Sequence, residues 1–406
     1  MRKQNFGVSP ADFGRTVGPD FFGTNLERAG DHNQRVTLHA IRVNGPVTRT
    51  DIAAMTALTH AAVANITNRL LRDRFVLPAG RILGARGQPA MKLVINPDRC
   101  FSVGLNVDRD HITLVVVDFV SRVRARASRE IAFANPATVR RFFQRSIGQL
   151  LVTAGIATNR LVGVGVAFPD DIARAHLPDQ PGDYSAWASV RVDDLIRDVL
   201  RIPVFVENDA AAAAIGEMQF GFGQKFRSFF YVLISAALGG GLVEDGSYVR
   251  GASGRSGEIG FLRTHGGSDG VQLQHVVSLS ALYARLSERG FQVASPRGLT
   301  RLKPGARAVV DAWVRTSTEA LVDSFVAINC LINPEAILIG GRLPSYLVDQ
   351  LAASLNDRLA GFKTQMPAIA HVARASTSED APAVGAAILP FSDRLLPARF
   401  ALLKSA

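Results

Sequence analysis

Two fragments of the chain carry residues whose types and spacing suit a polyhydroxy ligand. Phe205-Val-Glu-Asn-Asp-Ala-Ala211 sets an amide, Asn208, beside a carboxylate, Asp209, where a strand gives way to a helix. Gly257-Glu-Ile-Gly-Phe261 presents Glu258 between two glycines. Polar side chains of this kind fix a sugar ring, and a carboxylate can take the proton from an attacking hydroxyl. The plainer alternative is that Asn208 and Asp209 only cap a helix over 210–219, a position both residue types favour. A cap at such a junction faces the cleft, so the two roles are compatible. Glu258, recurring in a motif of its own, favours a binding role.

These residues need a scaffold, and 406 residues suffice for two or three domains, each with its own core. The N-terminus lacks the apolar stretch of a signal peptide. The longest apolar run, 231–243, is too short to span a bilayer. Cys100 and Cys330 both lie in apolar runs, which predicts two buried thiols and a reducing, cytoplasmic setting. Charge is uneven: residues 1–95 hold 13 Lys and Arg against 6 Asp and Glu, while the whole chain is +11. A basic small segment joined to a nearly balanced large one points to an anionic polymer as partner, with a merely solvated basic surface as the alternative.

The basic segment divides into three helical patterns and a hairpin. Residues 33–43 carry Val36, Leu38 and Ile41 and end before Asn44-Gly45-Pro46, a turn signal. Thr48 precedes Asp51 by three residues, a capping-box spacing that starts a short helix through Ala57. Thr59 is the next candidate cap, and Val63, Ile66 and Leu70 beyond it line one buried face. The opposite face offers His60, Ala61, Asn65, Asn68 and Arg69, side chains able to reach base edges or phosphates. Residues 76–94 read as a wing whose tip holds Gly80, Gly84, Arg86, Gly87, Gln88 and Pro89. The expected DNA contacts are Arg49, His60, Ala61, Asn65, Arg69, Arg86 and Gln88. A plain three-helix packing module shares the helical pattern, but the wing and the basicity favour DNA.

Beyond Asn96-Pro97 the pattern becomes α/β. Strands are expected over 101–107, 111–119 and 123–132, then a helix over 138–153 and a buried strand over 161–168. A second round has a strand over 229–235, a hairpin through Gly239-Gly-Gly241 and Asp245-Gly246, helices, and a strand over 336–339. Two meanders, each followed by helix and strand, imply a duplicated α/β domain with a cleft between its halves.

With Phe168-Pro169, Trp187, the motif around Asn208-Asp209, Gly257-Glu-Ile-Gly, Asn333-Pro-Glu-Ala-Ile-Leu-Ile-Gly-Gly341 and Val384-Gly-Ala-Ala, residues 30–390 resemble the ROK family of repressors, open reading frames and kinases. The resemblance implies an actin-like, ribonuclease H-like ATPase fold of two lobes closing over a hexose. It places Asp209 at the catalytic base and Asn208 and Glu258 among the sugar ligands. Kinases of the family turn through Asp-x-Gly-Gly-Thr at the first phosphate loop, where this chain has Asn106-Val-Asp-Arg-Asp110. The second loop, Gly-Thr-Gly in kinases, reads Ser235-Ala-Ala-Leu-Gly-Gly-Gly241. Phosphoryl transfer needs backbone N–H groups around the phosphates, so weak or absent ATP binding is expected. The family's Gly-Glu-Ile-Gly-His ends here in Phe261, and His265-Gly-Gly-Ser-Asp-Gly270 replaces its cysteine-rich zinc loop; His265 and His275 alone make a poor zinc site.

The expected organisation is an N-terminal arm (1–30), a winged helix-turn-helix (31–96) and a kinase-like domain (97–406). Its lobes would cover roughly 97–210 with the C-terminal helix, and 211–380. The expected function is a DNA-binding regulator, a repressor, that senses a carbohydrate at Asn208, Asp209 and Glu258 and acts as a homodimer or tetramer. No cofactor, metal or membrane is expected, and no catalytic residue. The rivals are a sugar kinase that keeps a DNA-binding domain, and a ligand-blind DNA-binding protein.

Overall fold

The computed structural model describes residues 26–82, 90–170, 172, 182–264, 270–377 and 379–397. Its first elements are three helices and a two-stranded antiparallel sheet: α1 (Leu26–Asn44), α2 (Arg49–Thr56), α3 (His60–Arg72), β1 (Val76–Ile82) and β2 (Ala90–Ile95). Thr48 and Asp51 cap α2 reciprocally, and the Thr59 hydroxyl accepts from Ala62 N–H at the start of α3. Both caps satisfy N–H groups that a helix start leaves orphaned. Leu38, Ile41, Ile52, Val63, Ile66 and Leu70 form the core of this module with Val76 and Leu93 of the sheet. A backbone bridge from Val47 to Leu93 ties the sheet to the turn before α2. Helix α1 runs over Leu26–Asn44, starting ahead of the helical pattern read over 33–43, and the expected turn at 44–46 ends it.

Two five-stranded sheets follow. The first, ordered β5-β4-β3-β6-β7, comprises β3 (Phe101–Val107), β4 (His111–Asp118), β5 (Val123–Glu130), β6 (Leu161–Ala167) and β7 (Val204–Glu207). The second, ordered β10-β9-β8-β11-β12, comprises β8 (Phe229–Ile234), β9 (Leu238–Glu244), β10 (Ser247–Tyr248), β11 (Ala336–Gly341) and β12 (His371–Arg374). In each, an antiparallel meander is extended by two parallel strands on the far side of its first strand. The shared order and sense are what a duplicated α/β unit requires. Strands β3, β4 and β8 are buried throughout, hence their continuous apolar runs.

Helices cover the sheets: α4 (Pro136–Ala154) and α5 (Val192–Arg197) in the first lobe, and α7 (Leu279–Glu288), α8 (Pro304–Leu331) and α9 (Ser345–Ala360) in the second. Between them lie α6 (Asp209–Phe220) and α10 (Ala381–Arg394). Helix α10 returns from the second lobe to the first sheet and packs so closely that a Cβ on Gly104 or Gly165 would strike the Ala383 or Ala386 carbonyl oxygen. Glycine is therefore required at both strand positions.

One expectation needs correction. Cys330 is exposed, because the buried face of α8 carries Val322, Phe325, Ile328 and Asn329 and the helical phase turns 330 and 331 outward. The expected hairpin is present: the glycines 239–241 lie inside β9, which pairs with β10 across a turn made by Asp245 and Gly246, both at positive φ. The run answers to packing: a Cβ at Gly239 or Gly241 would crowd Ala210 or Ala214 of α6, and one at Gly240 would strike the Gly257 carbonyl.

Candidate functional site

The junction of β7 and α6 opens into a cavity of about 260 Å³. Asn208 is the N-cap of α6; its Oδ1 accepts from Ala210 N–H and Ala211 N–H, and its Nδ2 donates to Asp170 Oδ2 at 3.3 Å. Asp209 Oδ1 accepts from the same Ala210 N–H at 2.9 Å. Across the cavity Gly257 passes Gly240 in close backbone contact at φ +82°, which presents Glu258 to the same space. Thus Asn208, Asp209 and Glu258, far apart in sequence, line one cavity.

They have company that the sequence reading did not single out as ligands: Asp108, Asp170, Tyr248, Arg255, Ser256 and Gln274. Arg255 donates to Glu258 Oε1 at 3.0 Å and lies 3.6 Å from Asp170. Phe261, nearly half exposed, adds an aromatic face to the wall. Asp170 follows Phe168-Pro169 directly and Arg255 precedes Gly257-Glu258 by two residues, so a search flanking those motifs finds both. Gln274 comes from a separate turn and carries no such signal.

Acidic residues outnumber basic ones in this cavity, and Asp209 registers it. Although part of the residue reaches the cleft, its carboxyl is enclosed. Loss of hydration, and then the charge of Asp108, push it up to about 7; the Ala210 N–H and Arg109 oppose this only in part. Near neutral pH the group can therefore both accept and donate hydrogen bonds to hydroxyls.

The turn between β3 and β4 forms one wall. Asp108 N–H donates to the His111 carbonyl and Arg109 N–H to Asp108 Oδ1. The carbonyls of Arg109 and Asp110 accept from Phe133 and Ile131. The side chain of Arg109 lines the cavity with its Nε buried and without a hydrogen bond. Behind the turn, Asp108, Asp110 and His111 bring donor atoms within 4.8 Å of one another. Part of that cluster is already engaged: His111 Nδ1 lies 2.7 Å from Asp110, and Arg342, following β11 in the other lobe, donates to Asp110 at 3.0 Å and to Glu130. Against the burial that would raise it, His111 and Arg342 hold the Asp110 carboxyl below the usual range. A cation there would compete with this guanidinium for Asp110. His275 is exposed on a turn, and His265 lies outside the described residues.

The residues expected to meet DNA fall into three groups. His60, Ala61, Asn65 and Arg69 are exposed on one face of α3, opposite Val63, Ile66 and Leu70. Arg49 is turned inward: its Nε donates to Thr67 Oγ1 at 2.9 Å and a terminal nitrogen to Asn68 Oδ1 at 2.5 Å, so it braces α2 on α3. Arg86 and Gln88 lie outside the described residues.

Comparison with known proteins agrees with this architecture. The model of the ROK family matches residues 102–392. The chain is 28% identical over 233 residues to the xylose repressor of Bacillus subtilis, a match covering 57% of this chain and 60% of that protein. It is 22% identical over 373 residues to the DNA-binding transcriptional dual regulator NagC of Escherichia coli, covering 85% of this chain and 90% of the other. Among solved structures, a ROK family transcriptional regulator described as a homolog of the E. coli MLC protein superposes with a TM-score of 0.64 at 20% identity. That match covers 91% of this chain and 98% of the other.

Proposed function

Because the chain belongs to the ROK family, we propose that it is a sugar-responsive transcriptional repressor whose kinase-like cleft binds its effector without phosphorylating it. The N-terminal module serves as a winged helix-turn-helix, with α3 entering the major groove and the β1–β2 sheet as its wing. A homodimer would set two such modules on a pseudo-palindromic operator.

One observation carries the reading: Asn208, Asp209 and Glu258 share a cavity with further hydroxyl-binding groups, while the adjoining turn spends the Asp108 and Arg109 N–H groups on its own atoms. Polar side chains remain available for a sugar, whereas two of the turn's backbone donors are already engaged. Arg109, with its unpaired Nε, is the observation that keeps the kinase alternative in view.

Calorimetric titration separates the two. D-xylose, D-glucose and N-acetylglucosamine would be titrated alone, and ATP·Mg²⁺ separately, followed by binding of a duplex selected from a random pool, with and without sugar. A sugar that binds without nucleotide and shifts the DNA affinity supports the regulator. Sugar-dependent ATP hydrolysis establishes the kinase, and DNA affinity indifferent to every sugar favours the ligand-blind protein.

A further inference from the structure

Helix α6 has one end in the cleft and the other on the N-terminal module. Asn208 and Asp209 form its start. At its last turn, roughly 18 Å away for twelve residues at 1.5 Å each, Gln219 and Phe220 hold Arg42 of α1. Arg42 donates to the Gln219 carbonyl at 3.2 Å and to Gln219 Oε1 at 2.7 Å, lies 3.1 Å from His39 Nδ1, and stacks over the Phe220 ring at 4.5 Å. The described residues give it no carboxylate, and burial lowers its pKa to about 10. An apolar side chain would fill this place without that desolvation, so packing alone does not account for a guanidinium.

The body of α6 is packed as one unit with α10. Ala210 to Ala214 are all buried, Gly216 meets Gly385 of α10 with only 3.0 Å left for a Cβ, and a Cβ on Gly385 would strike the Ala212 carbonyl. So close a seam leaves the helix little room to bend, and a shift imposed at its start is carried to its end. Near the far end, Glu217 is fully buried and accepts from Phe222 N–H, Ser376 N–H, Thr377 N–H and the Thr377 hydroxyl. The last turn is therefore rigidly connected to the loop before α10.

We propose that α6 transmits the state of the cleft to the DNA-binding module, with Arg42 as the joint. This rests on the reading of the cleft as an effector site. A ligand that engages Asn208 or Asp209 biases the position of the helix start, and Arg42 passes that bias to α1. Arg42 is a positioning residue, remote from both ligands.

Hydrogen exchange on the unliganded full-length protein tests the joint without requiring a known sugar. Asn208→Ala loosens the start of α6 and should raise exchange of the α1 amides over 33–44 by about fivefold, the equivalent of a lost helix cap. Arg42→Ala, or the milder Gln219→Ala, should raise exchange at the start of α6. Arg35→Ala serves as control: it cuts a different bond from α1 to the body, at the Asp393 carbonyl, and should leave the start of α6 unchanged. Effects confined to the mutated end, or equal effects from Arg35→Ala, overturn the proposal. A sugar panel without a binder would sink the effector reading alone, because the exchange result does not depend on it.

Discussion

Replacing Asp209 by Asn removes one negative charge from the enclosed floor of the cleft and keeps an oxygen to accept from Ala210 N–H. The sign of its effect on stability depends on pH. In the folded protein the carboxyl titrates at about 7, against 3.8 for the free group, first because it is desolvated and then because Asp108 repels its ionised form. A raised carboxyl pKa means that the folded state resists ionisation, so its contribution to stability is intact below 3.8 and is lost as pH rises towards 7. About three pH units at ~1.4 kcal/mol each set a ceiling near 4 kcal/mol. Water at the open mouth of the cleft trims this to roughly 2–4 kcal/mol. Asp209→Asn should therefore match the parent at pH 4 and exceed its melting temperature at pH 8. Thermal unfolding of both proteins from pH 4 to pH 8 gives the difference curve. A flat difference, or a variant weaker at pH 8 than at pH 4, would mean that Arg109 stabilises the carboxylate as an ion, and the reasoning would fail.

Three other perturbations read different parts of the molecule. Asn65→Ala and Arg69→Ala on the exposed face of α3 should each weaken binding to a selected duplex by about 1–3 kcal/mol, with unchanged melting temperature; fluorescence anisotropy that leaves the affinity intact would remove α3 from the interface. His39, lowered to about 4 by burial and then by Arg42, is neutral in the fold. Its contribution is full above pH 6.5 and lost as pH falls towards 4, up to about 3 kcal/mol. His39→Gln, which can still accept from Arg42, should flatten the acid limb of stability over that window, and a parallel limb would exclude His39 as its source. Arg342→Met leaves Asp110 to His111 alone and should destabilise by about 2–4 kcal/mol; chemical denaturation at neutral pH showing no loss would mean that this ion pair between the lobes is neutral on balance.

The fold was legible where residues answer to one local rule. Thr48 with Asp51 announces a capping box whatever surrounds it, and the buried runs of β3, β4 and β8 read as strands because both faces of each are covered. The hairpin of β9 was legible, but the reason for its glycines was not, because the alanine face of α6 and the backbone of Gly257 lie far along the chain. Cys330 failed for a related cause: an apolar run in a helix longer than the buried face it serves must turn some members outward, and only the phase of α8 says which. In the cleft, Asn208, Asp209 and Glu258 stand in compact motifs. Asp170 and Arg255 flank such motifs, whereas Asp108 and Gln274 come from separate turns that only the fold brings to the cavity.

That contrast bears on how such a cleft could be turned from transfer to sensing. In the proposed reading, sugar recognition would depend on side chains presented by the α6 start and by the crossing of Gly257 with Gly240. Phosphate recognition in a kinase depends on backbone N–H groups left free at a turn. At the turn between β3 and β4 the Arg109 N–H is taken by the Asp108 carboxylate, an engagement that leaves the side chains at the start of α6 where they are. On the same side, Arg342 joins Asp110 and Glu130 across the lobes, and Arg126 of β5 binds Asp380 at the foot of α10. Arg342 thus ties the two lobes beside the cleft with charges of the protein itself.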